Sequence, residues 1–429
     1  MRVKSGILAV ISLVLAACSG PGADDGTTVL RLWKHQAGPS EEAASYAAIE
    51  RFNNSQDQWR IEAQSLPQNA YTESMMAASM AGNLPCLMTV DQPMVPSFVW
   101  AGHLRPLQGF IHPKSLEGVT PIAIGRYEGE AYSVGQFDAA LAVYARKSAL
   151  DAIGARIPTV DAPWSRLEFD RLLRDLKAEG NYAYPLDLQT RDVKADWWTY
   201  AFSPMLQSFG GDLIDRDTLT NAEGILNGST AIDFATWFQD LFDKGYVNRS
   251  EPDERAFQKG RVALAYTGNW WALDYSNAVG DDLLILPPPD FGAGPIIGGG
   301  SWQWAISSTC QHPNAAAEFI DFLMTSEEVA AIADAAGMIP VTEEAAALTE
   351  KFNPNGEWRV FYEMMNRFAR PRPATPAFAA ISNAWLRAMR DVMNGKDVRD
   401  ALDDAVDDIE SVIEDNGGFS RPTSQENDR

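Results

Sequence analysis

Thirteen tryptophans occur in 429 residues, and several stand where a strand ends or a loop opens: Trp33, Trp197, Trp198, Trp270, Trp271 and Trp302. Trp33 is followed by His35 and Gln36, and Trp270 comes just after Thr267-Gly268-Asn269 at the close of an apolar run. A flat indole offers an apolar face, while carboxylates, amides and imidazoles offer donors and acceptors beside it. Together they suit a ligand with apolar ring faces and hydroxylated edges, which is the chemistry of a sugar. Taken singly, about half of such tryptophans are core residues. As a set at strand ends they point to a binding surface, because ligands of α/β folds bind there.

Other chemistry is missing. Histidines stand singly at 35, 103, 112 and 312. No His-Glu-x-x-His, Gly-x-Ser-x-Gly or Walker loop occurs. Gly292-Ala293-Gly294 with Gly298 has the wrong spacing for a nucleotide loop and carries Pro295 in its middle. Asp215-Arg216-Asp217 opens like a calcium loop but has Thr220 where the sixth-position glycine belongs. No metal and no cofactor are expected. A pair of catalytic carboxylates stays open as an alternative, because sequence does not show which acids meet in space.

The net charge is −23. Such a surface repels nucleic acid phosphates and anionic lipid heads, so neither is expected as a partner. It also argues against an anionic ligand.

The N-terminus reads as a secretory signal at 1–17: Arg2 and Lys4, then an apolar run from Ile7 to Leu15, too short to span a bilayer. Leu15-Ala16-Ala17-Cys18 resembles the bacterial lipobox, which implies lipidation at Cys18. Residues 18–28 are small and polar and suit a tether. The expected location is the periplasm or cell surface, with the membrane touched only through the lipid. Two further cysteines remain, Cys86 and Cys310. An oxidising compartment allows them to pair; two buried free thiols are the alternative.

The rest of the chain is too long for one simple core, so two domains are expected. Strands and helices alternate, which points to α/β layers. Strands are expected at 29–33, 61–66 and 87–90. Between them lie a helix at 41–53 capped by Ser40 and a second helix capped by Thr72. An extended stretch near 132–138 leaves this first block. Helices follow at 167–178 and 230–244, with strands at 262–266, 283–286 and 302–308. A helix capped by Asn314 and another from Ser326 to Gly337 come next. Val398, Ala401, Leu402, Ala405, Ile409, Val412 and Ile413 repeat at helical spacing within 397–415, opposite an acidic face.

The order of these segments resembles the extracellular solute-binding proteins of carbohydrate ABC importers, relatives of maltose-binding protein, over nearly all of 28–415. Ala81-Gly82-Asn83-Leu84-Pro85-Cys86 is similar to the family's Ala-Gly-x-x-Pro-Asp, and Ala101-Gly102-His103-Leu104-Arg105-Pro106-Leu107 to its Ala-Gly-x-Leu-x-Pro-Leu. The most specific piece is Phe257 to Leu264 followed by Gly268-Asn269-Trp270. Gly298-Gly299-Gly300-Ser301-Trp302, Ile306-Ser307 and the helix from Asn314 to Met324 complete the set. Tyr144-Ala145-Arg146-Lys147 and the segment from Trp164 to Phe169 depart from the family pattern.

The resemblance implies two α/β lobes joined by crossing hinge strands, with a ligand cleft between them. The implied division is 29–137 with 290–345 for the first lobe, 138–289 with 346–415 for the second, and a tail at 416–429. It implies capture of a mono- or oligosaccharide by a monomer, delivery to ABC permease subunits in the inner membrane, and no catalysis. Trp270 matches the family's aromatic platform, and Asp138 falls at the first crossing. Trp33, His35, Asp91, Gln92 and Trp302 are expected to face the cleft from the first lobe. Trp197, Trp198, Trp271 and Arg372 join them as further candidates. The rivals are a lipid-anchored glycoside hydrolase and a binding protein for a non-sugar solute.

Overall fold

The computed structural model describes residues 27–249 and 255–419. Cys18 and the tether before Thr27 lie outside them. The strands in chain order are β1 Thr28–His35, β2 Trp59–Leu66, β3 Leu87–Asp91, β4 Ile124–Tyr127, β5 Glu130–Val134, β6 Phe137–Asp138 and β7 Leu141–Arg146. They continue as β8 Leu186–Asp187, β9 Leu264–Gly268, β10 Leu283–Leu286, β11 Ile297–Gly299, β12 Trp302–Ile306, β13 Ile339–Pro340 and β14 Ala369–Pro371.

Two larger sheets divide them. The first has the order β2-β1-β3-β12-β5-β4 and the second β10-β7-β9-β8. β1 runs parallel to both β2 and β3, because the helices Pro39–Ser55 and Tyr71–Met80 carry the chain back across the sheet. Each sheet has its own core. Leu30, Leu32, Ile49, Phe52, Trp304, Phe319 and Ile320 pack together beside the first. Tyr144, Phe202, Phe234, Phe238, Tyr266 and Trp385 belong to the second.

Short strands make the crossings. β6 leads from β5 to β7 and pairs with β13, while β11 pairs with β14 on the return side. Phe291 stacks on Phe209 at 5.0 Å and Ile297 is fully buried in the second core. The second block therefore extends past residue 289, and the return to the first sheet falls at Gly300-Ser301. Gly300 has φ +83°, and a Cβ there would meet the Gln92 side chain at 2.8 Å, so only glycine makes this turn.

Three helix starts differ from the sequence reading. Helix Pro39–Ser55 begins ahead of Ser40 and is flanked by Gly38. Helix Pro313–Leu323 begins ahead of Asn314 and is flanked by His312. In both, proline occupies the first helical position, where a missing N–H costs nothing. Helix Tyr71–Met80 already includes Thr72. At Thr325 and Asp397, by contrast, the side chains do accept the first-turn amides. The sulfurs of Cys86 and Cys310 are bonded, with Cα atoms 4.4 Å apart. The bond joins the ends of two neighbouring strands, since Leu87 of β3 pairs with Ile306 of β12.

Candidate functional site

The ends of β1, β3 and β12 bring Trp33, His35, Asp91, Gln92 and Trp302 to one edge of the first sheet. Trp302 faces Asp91 across the antiparallel pair. The His35 ring stacks on Trp302, with centroids 3.9 Å apart and planes 11° from parallel. Glu41 lies 3.2 Å from His35 Nε2, and the Thr89 hydroxyl accepts the His35 amide at 3.0 Å. Trp302 also meets Tyr71 edge-on at 5.4 Å. Trp33 is half-buried and packs with Tyr71 and Val90 in a small satellite core.

From the second sheet, β9 ends at Gly268 and the chain turns through Asn269 to Trp270. The Trp270 ring folds back over Gly268, where a Cβ would meet it at 2.0 Å, so any side chain at 268 would displace the ring. Trp270 is 40% exposed, so the ring is not part of the closed core. Its edge meets Trp197 at 6.3 Å and Tyr200 at 6.0 Å, both on helix Ala195–Ser208.

The crossing segments join the two edges. Arg372, just after β14, is buried and donates to both Asp91 carboxylate oxygens at 2.8 and 3.0 Å and to the Gly300 carbonyl at 3.0 Å. Its guanidinium also lies 5.2 Å from the Tyr200 ring centre. Tyr200 in turn donates its hydroxyl to the Ala139 carbonyl at 3.0 Å. A continuous line of contacts thus runs from His35 and Trp302 through Asp91, Arg372 and Tyr200 to Trp270 and Trp197.

Asp138 sits within this line, fully buried on β6. Its Oδ1 accepts the Ala139 amide at 2.7 Å, and its Oδ2 has no partner. Burial pushes its carboxyl up to about 7, only partly offset by the Ala139 amide, Arg372 and the Gly300 amide. Asp196, beside Trp197, is open to solvent but walled by protein on most sides. That partial burial, with repulsion from Asp91, pushes its carboxyl up to about 6. Three more buried polar atoms of the cluster lack partners: Gln92 Oε1, Trp197 Nε1 and Arg372 Nε. Such groups are costly unless something satisfies them.

Two tryptophans leave the candidate set. Trp198 is fully buried, donates its Nε1–H to the Asp192 carbonyl at 2.7 Å and meets Phe202 edge-on at 5.1 Å. Adjacent helical residues point about 100° apart, so Trp198 turns away from Trp197 and packs on Phe202 and Phe238 in the second core. Trp271 stacks on Tyr275 at 5.8 Å and packs on the second core. Sequence reasoning missed Tyr200 and Asp196. Their signal was the spacing of four residues, which places both on one helical face. The aromatic run and Pro204 hid that helix.

Among the described residues, no group of three or more His, Cys, Asp or Glu side chains is placed to hold a metal ion. No described helix is long and apolar enough to cross a membrane.

Comparison with known proteins agrees with this architecture. A maltooligosaccharide ABC transporter solute-binding lipoprotein of Streptococcus pneumoniae is 24% identical over 345 residues, spanning 78% of each chain. The GacH receptor of Streptomyces glaucescens, whose structure is known unliganded and with acarbose, superposes with a TM-score of 0.77 at 20% identity, over 91% of this chain and 99% of that one. The cyclic α-maltosyl-1,6-maltose binding protein of Arthrobacter globiformis gives 0.76 at 22% identity, over 91% of this chain and all of that one (100%). These likenesses establish the two-lobe fold. The model for bacterial extracellular solute-binding proteins matches residues 47–359, and the chain belongs to that family.

Proposed function

We propose that the protein captures a mono- or oligosaccharide between its lobes and delivers it, unchanged, to ABC permease subunits. One observation carries this reading. Along the line of contacts that ends at the exposed Trp270 ring, two buried acceptors (Asp138 Oδ2, Gln92 Oε1) and two buried donors (Trp197 Nε1, Arg372 Nε) lack partners. Sugar hydroxyls both donate and accept, so one class of ligand satisfies all four, while its C–H face stacks on the indole. Closure of the lobes about the β6–β13 and β11–β14 crossings would bring the two edges together around it.

The relatives supply a second line of support. The pneumococcal relative is a maltooligosaccharide-binding lipoprotein, and the Arthrobacter one binds a cyclic maltosyl sugar. The same reading places the protein outside the cytoplasm, tethered through Cys18 to a membrane. Cell fractionation of Cys18→Ser tests the tether: release into the soluble fraction is expected, and firm membrane association of the variant would refute it.

A panel of neutral sugars from glucose to maltotetraose, read by thermal shift and then by calorimetry, tests the ligand class. A ligand at about 100 times its Kd stabilises by about 2.7 kcal/mol. The panel is also assayed for new reducing ends. Binding without turnover is expected. Turnover would move the protein to the glycoside hydrolases, and no shift with any sugar would overturn the reading.

A further inference from the structure

The cleft has more negative charge than its cations can neutralise. Four carboxylates lie on its Arg372 side, Asp91, Asp138, Asp192 and Asp196, and Glu41 stands beside His35 at the first-sheet edge. The four aspartates face two cations, Arg372 and Lys194. Arg372 is committed to Asp91 by its two-pronged pair, and its remaining bond goes to the Gly300 carbonyl. Asp192 accepts the Lys194 amide. Among the described residues, the Asp196 carboxylate has neither a hydrogen-bond nor an ion-pair partner. Asp138 Oδ2 is likewise unpartnered although the residue is fully buried.

A neutral hydroxyl would donate to each of these carboxylates but would leave their charge uncompensated. A buried carboxylate without a counter-charge is unfavourable, and a cation beside it removes that cost. Gln92 Oε1, a third unpartnered buried atom at the Gly300 turn, is an acceptor too and suits a donor-rich ligand group. The Trp270 and Tyr200 faces next to the acids add a surface on which a cation is attracted.

We propose that the ligand is a sugar bearing a protonated amine, with Asp196 and Asp138 as the residues that select it. This rests on the sugar reading and narrows it to basic sugars. Asp196 meets the amine at the mouth of the cleft, and Asp138 meets the sugar at its floor. Arg372 acts as a positioning residue, since it neutralises Asp91 and so leaves the excess charge on the other two acids.

Matched pairs test it by calorimetry on the full chain at about pH 6.8, where the amino-sugar amines are mostly protonated and Asp196 is mostly ionised. The probes are glucose against glucosamine, galactose against galactosamine, and the N-acetylglucosamine trimer against the glucosamine trimer, with spermidine as a sugar-free cation. The expected result is that at least one amine-bearing member binds about tenfold or more tightly than its neutral partner, a difference of about 1.4 kcal/mol. In Asp196→Asn the ratio of the two affinities should fall to within roughly threefold, by loss of the charge pair. Asp138→Asn should lower the same ratio, and because Asp196 is exposed on a first helical turn, its variant serves if the Asp138 variant does not fold. Neutral sugars that bind as well as their amine partners would overturn the proposal and leave the sugar reading standing. Spermidine binding with no sugar binding, or silence from every probe and from the neutral panel, would overturn both.

Discussion

Arg372 holds Asp91 through two parallel hydrogen bonds of 2.8 and 3.0 Å while both residues are almost withdrawn from solvent, at 5% and 13% side-chain exposure. The pair ties the end of β3 in the first sheet to the chain just beyond β14 in the crossing region. It also aligns Arg372 against the Tyr200 ring. The pair thus links the first sheet to the crossing region beside the candidate site.

Breaking this pair should be costly. Arg372→Ala leaves a buried carboxylate alone, and Asp91→Ala leaves a buried guanidinium alone, each expected to lose about 3–5 kcal/mol. The double variant should lose less than the sum, which a double-mutant cycle in urea measures. Arg372→Lys keeps the charge but not the two-pronged geometry and should fall between. A cost below about 1 kcal/mol for Arg372→Ala would show that the pair is a weak surface contact.

Trp270 and Trp198 should behave oppositely, though both were candidates for the same surface. Trp270→Ala removes a half-exposed ring and should weaken sugar binding by about 1–3 kcal/mol, by analogy with stacking of bases on aromatic rings, with the melt preserved. Trp198→Ala empties a fully buried site and should cost about 3–5 kcal/mol of stability. Calorimetric titration and thermal melts of the two variants separate the outcomes. Unchanged affinity in Trp270→Ala would make that ring a packing residue.

What sequence reveals here follows periodicity. The helix Val398–Asp415 and strand Leu283–Leu286 are legible because apolar residues repeat at the helical or extended period. Helix starts at Pro39 and Pro313 are not, because proline and a serine or asparagine compete for the same boundary and either is chemically acceptable. The grouping of His35, Asp91 and Trp302 in the candidate site was legible because they lie at strand ends. It was hidden on helix Ala195–Ser208, whose burial on most sides removes the amphipathic pattern that would have distinguished Trp197 and Tyr200 from Trp198. No spacing rule brings Arg372 to Asp91 across 281 residues; only the crossing geometry does.

The Cys86–Cys310 bond closes a loop of sequence separation 224 across the paired ends of β3 and β12. Protein isolated from its native compartment should show these two thiols blocked by mass spectrometry without reductant. Reduction, or the Cys86→Ser/Cys310→Ser double variant, should lower stability by about 2–4 kcal/mol. Because the bond lies at the end of β3 opposite Asp91, the variant should keep its sugar affinity while its thermal stability falls. Two free thiols in the native protein would refute the pairing.

The pH dependence of the unliganded protein should carry the mark of Asp138. Its carboxyl is raised from an ordinary value near 3.8 to about 7 by burial. The folded state therefore binds one proton more than the unfolded state between those values, and stability falls as pH rises through that window. The loss is complete above about pH 8 and amounts to a few kcal/mol, on the order of 1.4 kcal/mol for each unit of displacement. Asp138→Asn keeps an oxygen for the Ala139 amide but cannot ionise. The variant should thus gain on the wild type as pH rises from about 4 to about 8 and then run parallel to it. Glu168, held down to about 2 chiefly by the Arg156 hydrogen bonds, and Asp196, raised to about 6, titrate in both proteins and largely cancel in the comparison. Urea unfolding at a series of pH values measures the difference. A difference that does not change with pH would mean that Asp138 is ionised or neutral throughout, and the assignment of a buried, titrating carboxyl at the crossing would be wrong.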